Sequence, residues 1–565
     1  MHPATDARGV LYRGGPIVTV DPGRARAEAV ATRAGQIVAV GNEDDCRRAI
    51  GLPVPASADG SSTDQLGDGP SVVDLDGRAL LPGFVDGHLH PMAMCFYAGR
   101  PDLRGARSVA DVLDALADHA RETPPGEWVV GLQLTPDRLE EHRWPTLAEL
   151  DGVSTGQAVV VVCHDGRTSI GNSAALGAAG IRSSRPDPPG GAFGRDAQGR
   201  LDGVCWETAT RLLLSNVTLP DLDQLKAKMS HVFAQLAVDG ITSASFVMQT
   251  DDEGPAGAAG ALESVGMMIF IDDLALGAHS LLGGDPARAV DARASSTLHN
   301  PGLNHVVGGV KLYLDGTLDA RTAYLHAPYT DEPSRRGWLT LDREVAVERM
   351  EAIHLAGLQI CLQAIGDAAN ALALDLFAEL ARRHPPSPGT GPRHRITQAS
   401  LLDQEAADRF AELGLSAVVQ PPILRSQASW LCSRLGVERA SRAYPFRSLA
   451  DAGVVLAGSS NAPVEGTDVL AGIAAAVTRS GFEPAQGLSP TEAVGMYTRG
   501  GAIAQQREHV TGRVAEGLHA DLVVLSHDPT AVPPDVIADI DVLLTMARGH
   551  VVHRAEGWSA RPAAR

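Results

Sequence analysis

The chain has 565 residues, of which 44% are hydrophobic and 21% charged, a composition typical of globular domains rather than of disordered or fibrous chains. Its 68 acidic and 48 basic residues give a formal net charge of −20. No dense basic stretch is present, which excludes the usual signature of a nucleic-acid-binding protein. The six cysteines lie far apart without a CxxC pair, so they indicate neither a disulfide framework nor a sulfur metal site. Because we find no secretory signal pattern and no apolar run of about 18 residues, we expect a cytoplasmic protein with no membrane partner.

The two ends of the chain are predicted to be rich in β-strands. Short runs of apolar and β-branched residues occur at 15–20, 29–33 and 36–40, and again at 520–526, 541–547 and 550–553. Between them, the stretch 52–70 is rich in Ser, Asp, Gly and Pro and predicts a loop. We therefore expect one composite β-sandwich built from both termini.

The middle of the chain alternates apolar strands with amphipathic helices, which predicts an α/β fold of the (β/α)8 TIM-barrel type. Helices are predicted at 341–356, 370–383 and 404–413. About 150 residues separate the first two strands, far more than an ordinary βα connection needs, and they contain strand-like runs at 128–134 and 158–163. The eight predicted strands are 79–90, 240–246, 266–271, 309–314, 358–363, 394–398, 415–420 and 453–461.

These patterns predict three structural units. The sandwich comprises 1–80 plus 507–565, and the catalytic barrel comprises 81–95 plus 226–506. Residues 96–225 form an inserted α/β subdomain.

Two histidines at the end of the first predicted barrel strand are the first candidates for chemistry. In the run Asp86-Gly-His88-Leu-His90, the two imidazoles are separated by two positions. Side chains alternate along a strand, so both should point the same way. At the carboxyl end of a barrel strand they would face the active-site mouth and supply half of a transition-metal site.

Around these histidines the chain resembles the amidohydrolase superfamily, in particular the YtcJ-type subgroup that includes N-substituted formamide deformylases. The likeness runs nearly from end to end of the chain. The motifs that carry it are LLPGFVDGHLH (80–90), GVKLYLDGT (309–317), AIGDAAN (364–370), RHRI (393–396), VVQP (418–421), AYPFRSLADAG (443–453), NAPVE (461–465), AAVTR (475–479), LSPTEAV (488–494) and GLHADLVVL (517–525).

The resemblance implies a metal centre at the strand ends of a barrel. Its ligands in the family are HxH on strand 1, a carbamylated lysine on strand 4, histidines on strands 5 and 6, and an aspartate on strand 8. Carried over to this chain, the first two correspond to His88, His90 and Lys311, all present.

The remaining family positions are changed in this chain. The strand-5 and strand-6 histidines are replaced by Gln363 and Gln398, and the strand-8 aspartate by Asn461. A side-chain amide is a poor zinc ligand, and Asn461 cannot accept a proton from water as a carboxylate does. Because all three replacements are amides of similar size, we interpret the site as rebuilt for hydrogen bonding rather than decayed.

Lys311 is the second unusual feature. The chain contains only three lysines among its 48 basic residues, Lys226, Lys228 and Lys311. Arginine cannot carry a carbamate, form a Schiff base or act as a base near neutral pH, so a lysine here points to chemical use of its amine. The alternative is a lysine that only balances charge or packs its stem.

Three further residues match family positions and are candidates for substrate contact. Arg167 occupies a usual histidine position and could bind an anionic group, while Asp315 and Glu207 supply carboxylates. For either acid, a loop-capping role is the alternative.

These observations predict an enzyme that acts on a small molecule, by family through hydrolysis of an amide or N-formyl C–N bond. Lys311, His88, His90, Asn461, Gln363 and Gln398 are the predicted catalytic residues. The cofactor is either one zinc or other divalent ion on His88, His90 and Lys311, or none. The sequence leaves open a homo-oligomer, a metal-independent lyase, isomerase or cyclase that uses Lys311 and a histidine, and a non-catalytic binding protein.

Overall fold

The computed structural model describes residues 8–54, 69–154, 156–217, 222–248, 277–283, 305–385 and 393–558, together with the single positions 287, 290 and 293. Within these ranges, no helix is long and apolar enough to cross a membrane. The helices of the described residues are Glu43–Ile50, Pro91–Tyr97, Val109–Glu122, Leu147–Asp151, Ser173–Ala178, Thr208–Leu214, Leu222–Val238, Arg343–Leu355, Asp367–Arg383, Gln404–Glu412, Pro421–Gln427, Leu431–Leu435, Val437–Ala440, Phe446–Asp451, Val469–Thr478, Pro490–Gly495 and Gly501–Ala504.

The centre of the molecule is an eight-stranded parallel sheet, here called the parallel sheet. Its strands follow chain order, and helices lie between most of them. The largest apolar cluster packs its strands against the surrounding helices. From first to eighth, the strands are Phe84–Leu89, Ile241–Met248, Gly277–Gly283, His305–Tyr313, Gln359–Ala364, Arg395–Gln398, Ser416–Val419 and Val455–Gly458.

The third strand differs from the sequence prediction. The predicted strand 266–271 lies outside the described residues, and the sheet position between the second and fourth strands is taken by Gly277–Gly283. This segment contains two glycines, a residue type depleted in strands, which weaken the strand pattern in the sequence.

The predicted strand 79–90 is two strands in two sheets. Ala79–Pro82 pairs with Leu522–Leu525 near the other end of the chain, whereas Phe84–Leu89 opens the parallel sheet. The break is at Gly83, where an added Cβ would lie 2.3 Å from the Thr242 side chain. Only glycine permits this close approach, so the chain can pass directly from one sheet into the next.

Strands from both ends of the chain share one sheet, as the strand-rich ends suggested. Neighbouring residues such as Leu11 and Tyr12 belong to apolar clusters on its opposite faces. In order across the sheet, the strands are His550–Arg554, Val542–Ala547, Leu522–Leu525, Ala79–Pro82, Val10–Asp21, Arg24–Arg33 and Gln36–Gly41, with Ser71–Asp74 also paired to Val10–Asp21.

A third sheet follows the first strand of the parallel sheet in the chain and corresponds to the predicted insertion. Its strands, in spatial order, are Gly191–Arg195, Leu201–Glu207, Thr168–Gly171, Val159–Cys163 and Val129–Leu134. The loop between Val159–Cys163 and Thr168–Gly171, and the residues that follow Leu201–Glu207, line a cavity together with residues at the carboxyl end of the parallel sheet.

A histidine cluster lies on the outer side of the parallel sheet. His394 accepts a hydrogen bond at Nδ1 from the Ile360 amide (3.0 Å), so its Nε2 carries the proton that faces His354 Nδ1 at 3.0 Å. The His394 ring stacks on Phe377. The ring of His384 lies 5.6 Å from that of His354, and His384 pairs with Glu351. Burial and, to a smaller extent, the charge of His354 lower the pKa of His394 to about 3.

This cluster predicts a loss of stability in mild acid. An unfolded histidine has a pKa near 6.5, so below this pH the unfolded chain binds a proton that folded His394 does not bind. The free energy of unfolding therefore decreases by about 1.4 kcal/mol for each unit by which the pH is lowered below about 6. In His394→Asn, the side-chain oxygen can still accept from the Ile360 amide but does not titrate in this range. Denaturant midpoints measured from pH 7.5 to 5 should fall more steeply for the wild type. Parallel curves for the two proteins would contradict this assignment.

Candidate active site

The carboxyl end of the parallel sheet surrounds a cavity of about 180 Å³, here called the amide cavity. Four of the six predicted catalytic residues line it: His90, Gln363, Gln398 and Asn461. The apolar part of its lining includes Met92, Phe96, Val162, Leu214 and Ile365. The cavity therefore combines a polar base with apolar sides, as small-molecule sites do.

His88 and His90 meet at the end of the first strand. Their ring centroids are 5.0 Å apart and the rings are nearly perpendicular. His90 is hydrogen-bonded to the Asn461 side chain, whereas both ring nitrogens of His88 are buried with no hydrogen-bond partner among the described residues. Burial lowers the pKa of His90 to about 3, and that of His88 well below its usual value, with Lys311 the largest charge contribution in each case. Both imidazoles are therefore neutral near pH 7.

Lys311 lies beside this pair. Its side chain is fully buried, and its Nζ is 5.0 Å from the centre of the Tyr313 ring. Lys311 also lines a second cavity of about 370 Å³, here called the arginine cavity. Lys311 is thus near enough for its charge to act on both imidazoles, and it also borders the second cavity.

Backbone geometry explains how Gln363 and Gln398 reach one cavity. In the register of the parallel sheet, Gln363 pairs with Thr397, so regular alternation would direct Gln398 to the opposite face. Gln398 instead has a left-handed backbone, with φ of 75°. This conformation ends the strand, and both amide side chains line the same cavity.

Asn461 reaches the cavity in a similar way. Its backbone is also left-handed, with φ of 57°, and its backbone N–H donates to the His88 backbone carbonyl at 2.9 Å. The next hydrogen bond runs from the His90 amide to the Ala462 carbonyl at 2.8 Å. Gln398 and Asn461 thus both have left-handed backbones and line the same cavity. Such backbones are typical of sites where the surrounding structure fixes side chains for function.

Arg167 and Glu207 form the wall between the two cavities. The Arg167 guanidinium is 3.1 Å from Glu207 and lies 4.0 Å from the centre of the Tyr313 ring. The other Glu207 oxygen accepts from the Thr322 hydroxyl at 2.7 Å. Burial raises the pKa of Glu207, while Arg167 and Thr322 lower it. Two of the three predicted substrate contacts, Arg167 and Glu207, therefore line both cavities.

Asp315 is placed differently. It does not line either cavity, and its oxygens accept from the backbone amides of Ile365 (2.9 Å), Gly366 (2.8 Å) and Tyr324 (2.9 Å). Burial raises its pKa to about 7 against the effect of these amides. The contacts give Asp315 a loop-capping role that holds the residues after Gln363.

The sequence interpretation missed several residues of this site. Tyr313 alternates with Lys311 on the fourth strand, a signal that the strand period contains. Asp165 lines the amide cavity and accepts from the Thr317 hydroxyl at 3.0 Å. The contact between Asp165 and Thr317 joins residues far apart in the chain, and no local pattern marks it.

The donor set does not fit the binuclear metal centre that the family motifs imply. The partnerless ring nitrogens of His88 would suit a metal, but no group of three or more His, Cys, Asp or Glu side chains within the described ranges could hold one. The charges of Lys311, Arg395 and Arg167 all act on His88 and lower its pKa. The same positive field opposes the binding of a divalent cation.

Comparison with known proteins identifies the family. A family profile described as "Amidohydrolase family" matches residues 71–553. This chain belongs to the amidohydrolase family. It is a hydrolase of the YtcJ-type subgroup, 29% identical over 560 residues to YtcJ of Bacillus subtilis (strain 168), with 96% of this chain and 99% of that protein covered.

Two further matches span nearly the whole chain. It is 25% identical to the N-substituted formamide deformylase of Arthrobacter pascens over 593 residues, which covers 98% of this chain and all of that enzyme. A crystal structure of an uncharacterized metal-dependent hydrolase from Pyrococcus horikoshii OT3 matches with a TM-score of 0.69 at 24% identity, covering 93% of this chain and 99% of that one. The structural match supports the α/β fold.

Proposed function

We propose that this amidohydrolase hydrolyses the C–N bond of a small-molecule amide or N-formyl compound in a site rebuilt around side-chain amides. The observation that carries the proposal is the meeting of His90, Gln363, Gln398 and Asn461 around one cavity. The likeness to an N-substituted formamide deformylase supports the choice of bond.

The side chains suggest how the reaction could proceed. The NH2 groups of Gln363, Gln398 and Asn461 are hydrogen-bond donors that could stabilise charge on the carbonyl oxygen of the substrate. A neutral histidine or the Lys311 amine could take the proton from water. Glu207 and Arg167 would hold the far side of the substrate from the wall between the cavities.

The proposal includes a closed (β/α)8 barrel and the three units predicted from the sequence. Closure is supported by the two backbone hydrogen bonds that join the residues after the eighth strand to His88 and His90. A barrel would explain why strands distant in the chain direct their ends to one cavity.

A metal-independent lyase, isomerase or cyclase is the second candidate. It is favoured by the neutral imidazoles and the buried amine, which form an acid/base set without a metal. A single zinc or other divalent ion on His88, His90 and a carbamylated Lys311 would return the site to family chemistry.

Oxygen labelling separates these reactions. The purified chain is incubated in water enriched in oxygen-18 with a panel of N-substituted formamides and short N-acyl amines, with and without a chelator. Hydrolysis places one solvent oxygen in the released acid, and mass spectrometry should detect it. Turnover without label would overturn hydrolysis in favour of the second candidate, and no binding or turnover across the panel would favour a non-catalytic protein.

A further inference from the structure

The residues 461–465 follow the eighth strand of the parallel sheet and are here called the Asn461 segment. Three of its residues line the amide cavity: Asn461, Pro463 and Val464. The described residues 459–468 form neither a helix nor a strand, so no regular hydrogen-bond ladder holds this stretch. The position of the Asn461 side chain beside His90 therefore depends on contacts from other parts of the chain.

Two side chains of the third sheet contact the Asn461 segment. Gln133 lies in the strand Val129–Leu134, and its NH2 group donates to the Pro463 carbonyl. The Gln133 oxygen is 2.8 Å from His164 Nδ1, and His164 directly follows the strand Val159–Cys163. The other ring nitrogen of His164, Nε2, lies 3.2 Å from a carboxylate oxygen of Glu465. His164 thus connects to both Pro463 and Glu465 of the segment.

The partners of His164 determine its protonation. A carbonyl oxygen can only accept a hydrogen bond, so Gln133 must direct its NH2 group to Pro463 and its oxygen to His164. His164 Nδ1 therefore carries a proton. Nε2 faces the Glu465 carboxylate, which is an acceptor as well. The imidazolium is the form of the ring that donates to both partners.

The charged groups that surround His164 favour the same form. Burial lowers the pKa of His164, but Glu465, Asp319 and Asp165 raise it, and the result lies above the usual value. Glu465 belongs to the Asn461 segment, Asp319 follows the fourth strand of the parallel sheet, and Asp165 is the next residue in the chain. The charge of His164 acts on Asp102 too. The groups that act on His164 are therefore acidic.

We propose that His164 is a positioning residue whose imidazolium holds the Asn461 segment against the third sheet and so fixes Asn461 at the amide cavity. Through Gln133 it supports the Pro463 carbonyl, and through Glu465 it holds the end of the segment. This inference rests on the proposed function for the role of the cavity, but the contact itself does not depend on turnover. Since neutral His164 has one donor for two acceptors, the contact weakens as pH rises through its pKa.

Hydrogen exchange measures how firmly the segment is held. The backbone N–H groups of Asn461, Ala462 and Val464 are all hydrogen-bonded, so their protection reports local opening. In the wild type, protection corrected for intrinsic exchange should fall as pH is raised from about 7 to about 9, where His164 loses its proton. This series needs no variant and therefore does not depend on the folding of one.

Two variants separate the contacts of His164. His164→Asn keeps a donor near Nδ1 for Gln133 and removes the one that faces Glu465. Its protection at pH 7 should be lower on the order of 10-fold or more, because a hydrogen bond to a charged group is lost. His164→Gln places a neutral donor near Nε2 and should retain part of the protection. Neither variant should show the pH dependence of the wild type.

His142→Asn is the matched control. His142 is an exposed histidine that contacts the Asp137 carbonyl at 3.2 Å and does not line the amide cavity. Protection of the Asn461 segment in this variant should equal that of the wild type, and thermal unfolding verifies that each variant is folded. For the best substrate of the panel, kcat should decrease from the wild type to His164→Gln and further to His164→Asn.

The outcomes separate this inference from the proposed reaction. Unchanged protection in His164→Asn, an equal loss in His142→Asn, or wild-type protection that is independent of pH would overturn it. Loss of protection with unchanged kcat would overturn the positioning role. Loss of protection in a chain for which oxygen labelling shows no hydrolysis would support the contact and count against the proposed function.

Discussion

Lys311→Arg should reduce turnover on the order of 10²–10⁴-fold, the range found when a positioned acid or base is removed. The substitution keeps the positive charge but removes an amine that can act as a base or carry a carbamate. Because Lys311 is fully buried beside Tyr313 and the two histidines, its loss cannot be replaced by solvent without a local rearrangement. The measurement is amine release from the best substrate of the panel, with kcat and KM determined separately.

Two further variants make this result interpretable. Lys311→Met retains an unbranched chain of similar length without charge, and it should lose activity to a similar extent if the amine itself is used. Lys228→Arg is the matched control, because Lys228 donates to the Ala98 carbonyl at 2.8 Å outside both cavities. Near-normal turnover of Lys311→Arg, in a variant whose unfolding midpoint is unchanged, would assign Lys311 to charge balance or packing.

Trapping distinguishes the uses of the amine. Borohydride added together with candidate carbonyl compounds would fix a Schiff base, and the mass increase should map to the peptide that contains Lys311. A trapped product requires an accessible amine in the native site. Loss of activity in the variants without trapping would indicate proton transfer or a carbamate.

Much of the fold follows from local patterns in the sequence. The predicted helix 404–413 is observed as Gln404–Glu412, because the Asp403 side chain caps the Ala406 amide and so fixes where the helix begins. The predicted strand 358–363 is observed as Gln359–Ala364, fully buried as an apolar run predicts. Both signals are contained in adjacent residues.

The predictions that differ depend on tertiary contacts. The division of 79–90 at Gly83 depends on Thr242, which is distant in the chain. The position of Gln398 depends on a left-handed backbone that strand alternation does not predict. Likewise, the family motif gave no sign that the Arg167 guanidinium would stack on Tyr313. The motifs therefore supplied candidate residues, whereas the structure was needed to show that His90, Gln363, Gln398 and Asn461 line one cavity.

The last prediction concerns metal binding. The triple variant Gln363→His, Gln398→His and Asn461→Asp supplies two imidazoles and one carboxylate at positions that surround His90 in the amide cavity. A divalent cation would then find anionic and imidazole ligands where the present side chains offer only amides. We expect zinc affinity to rise by at least about 100-fold. Changing a single outer hydrogen-bond partner of a metal ligand already alters metal affinity by about 10–100-fold, and this variant changes three candidate ligands themselves.

Calorimetry with zinc and elemental analysis after gel filtration measure this change. The matched control is Gln363→Glu, Gln398→Glu and Asn461→Asp, which adds negative charge without imidazole and should gain less affinity for zinc. If the histidine variant binds no more zinc than the wild type, the positive charges of Arg167 and Arg395 near His88 still oppose the cation. The amide side chains would then not be what limits metal binding, and that result would contradict the prediction. A wild-type chain that retains two tightly bound zinc ions would contradict the interpretation of the rebuilt site itself.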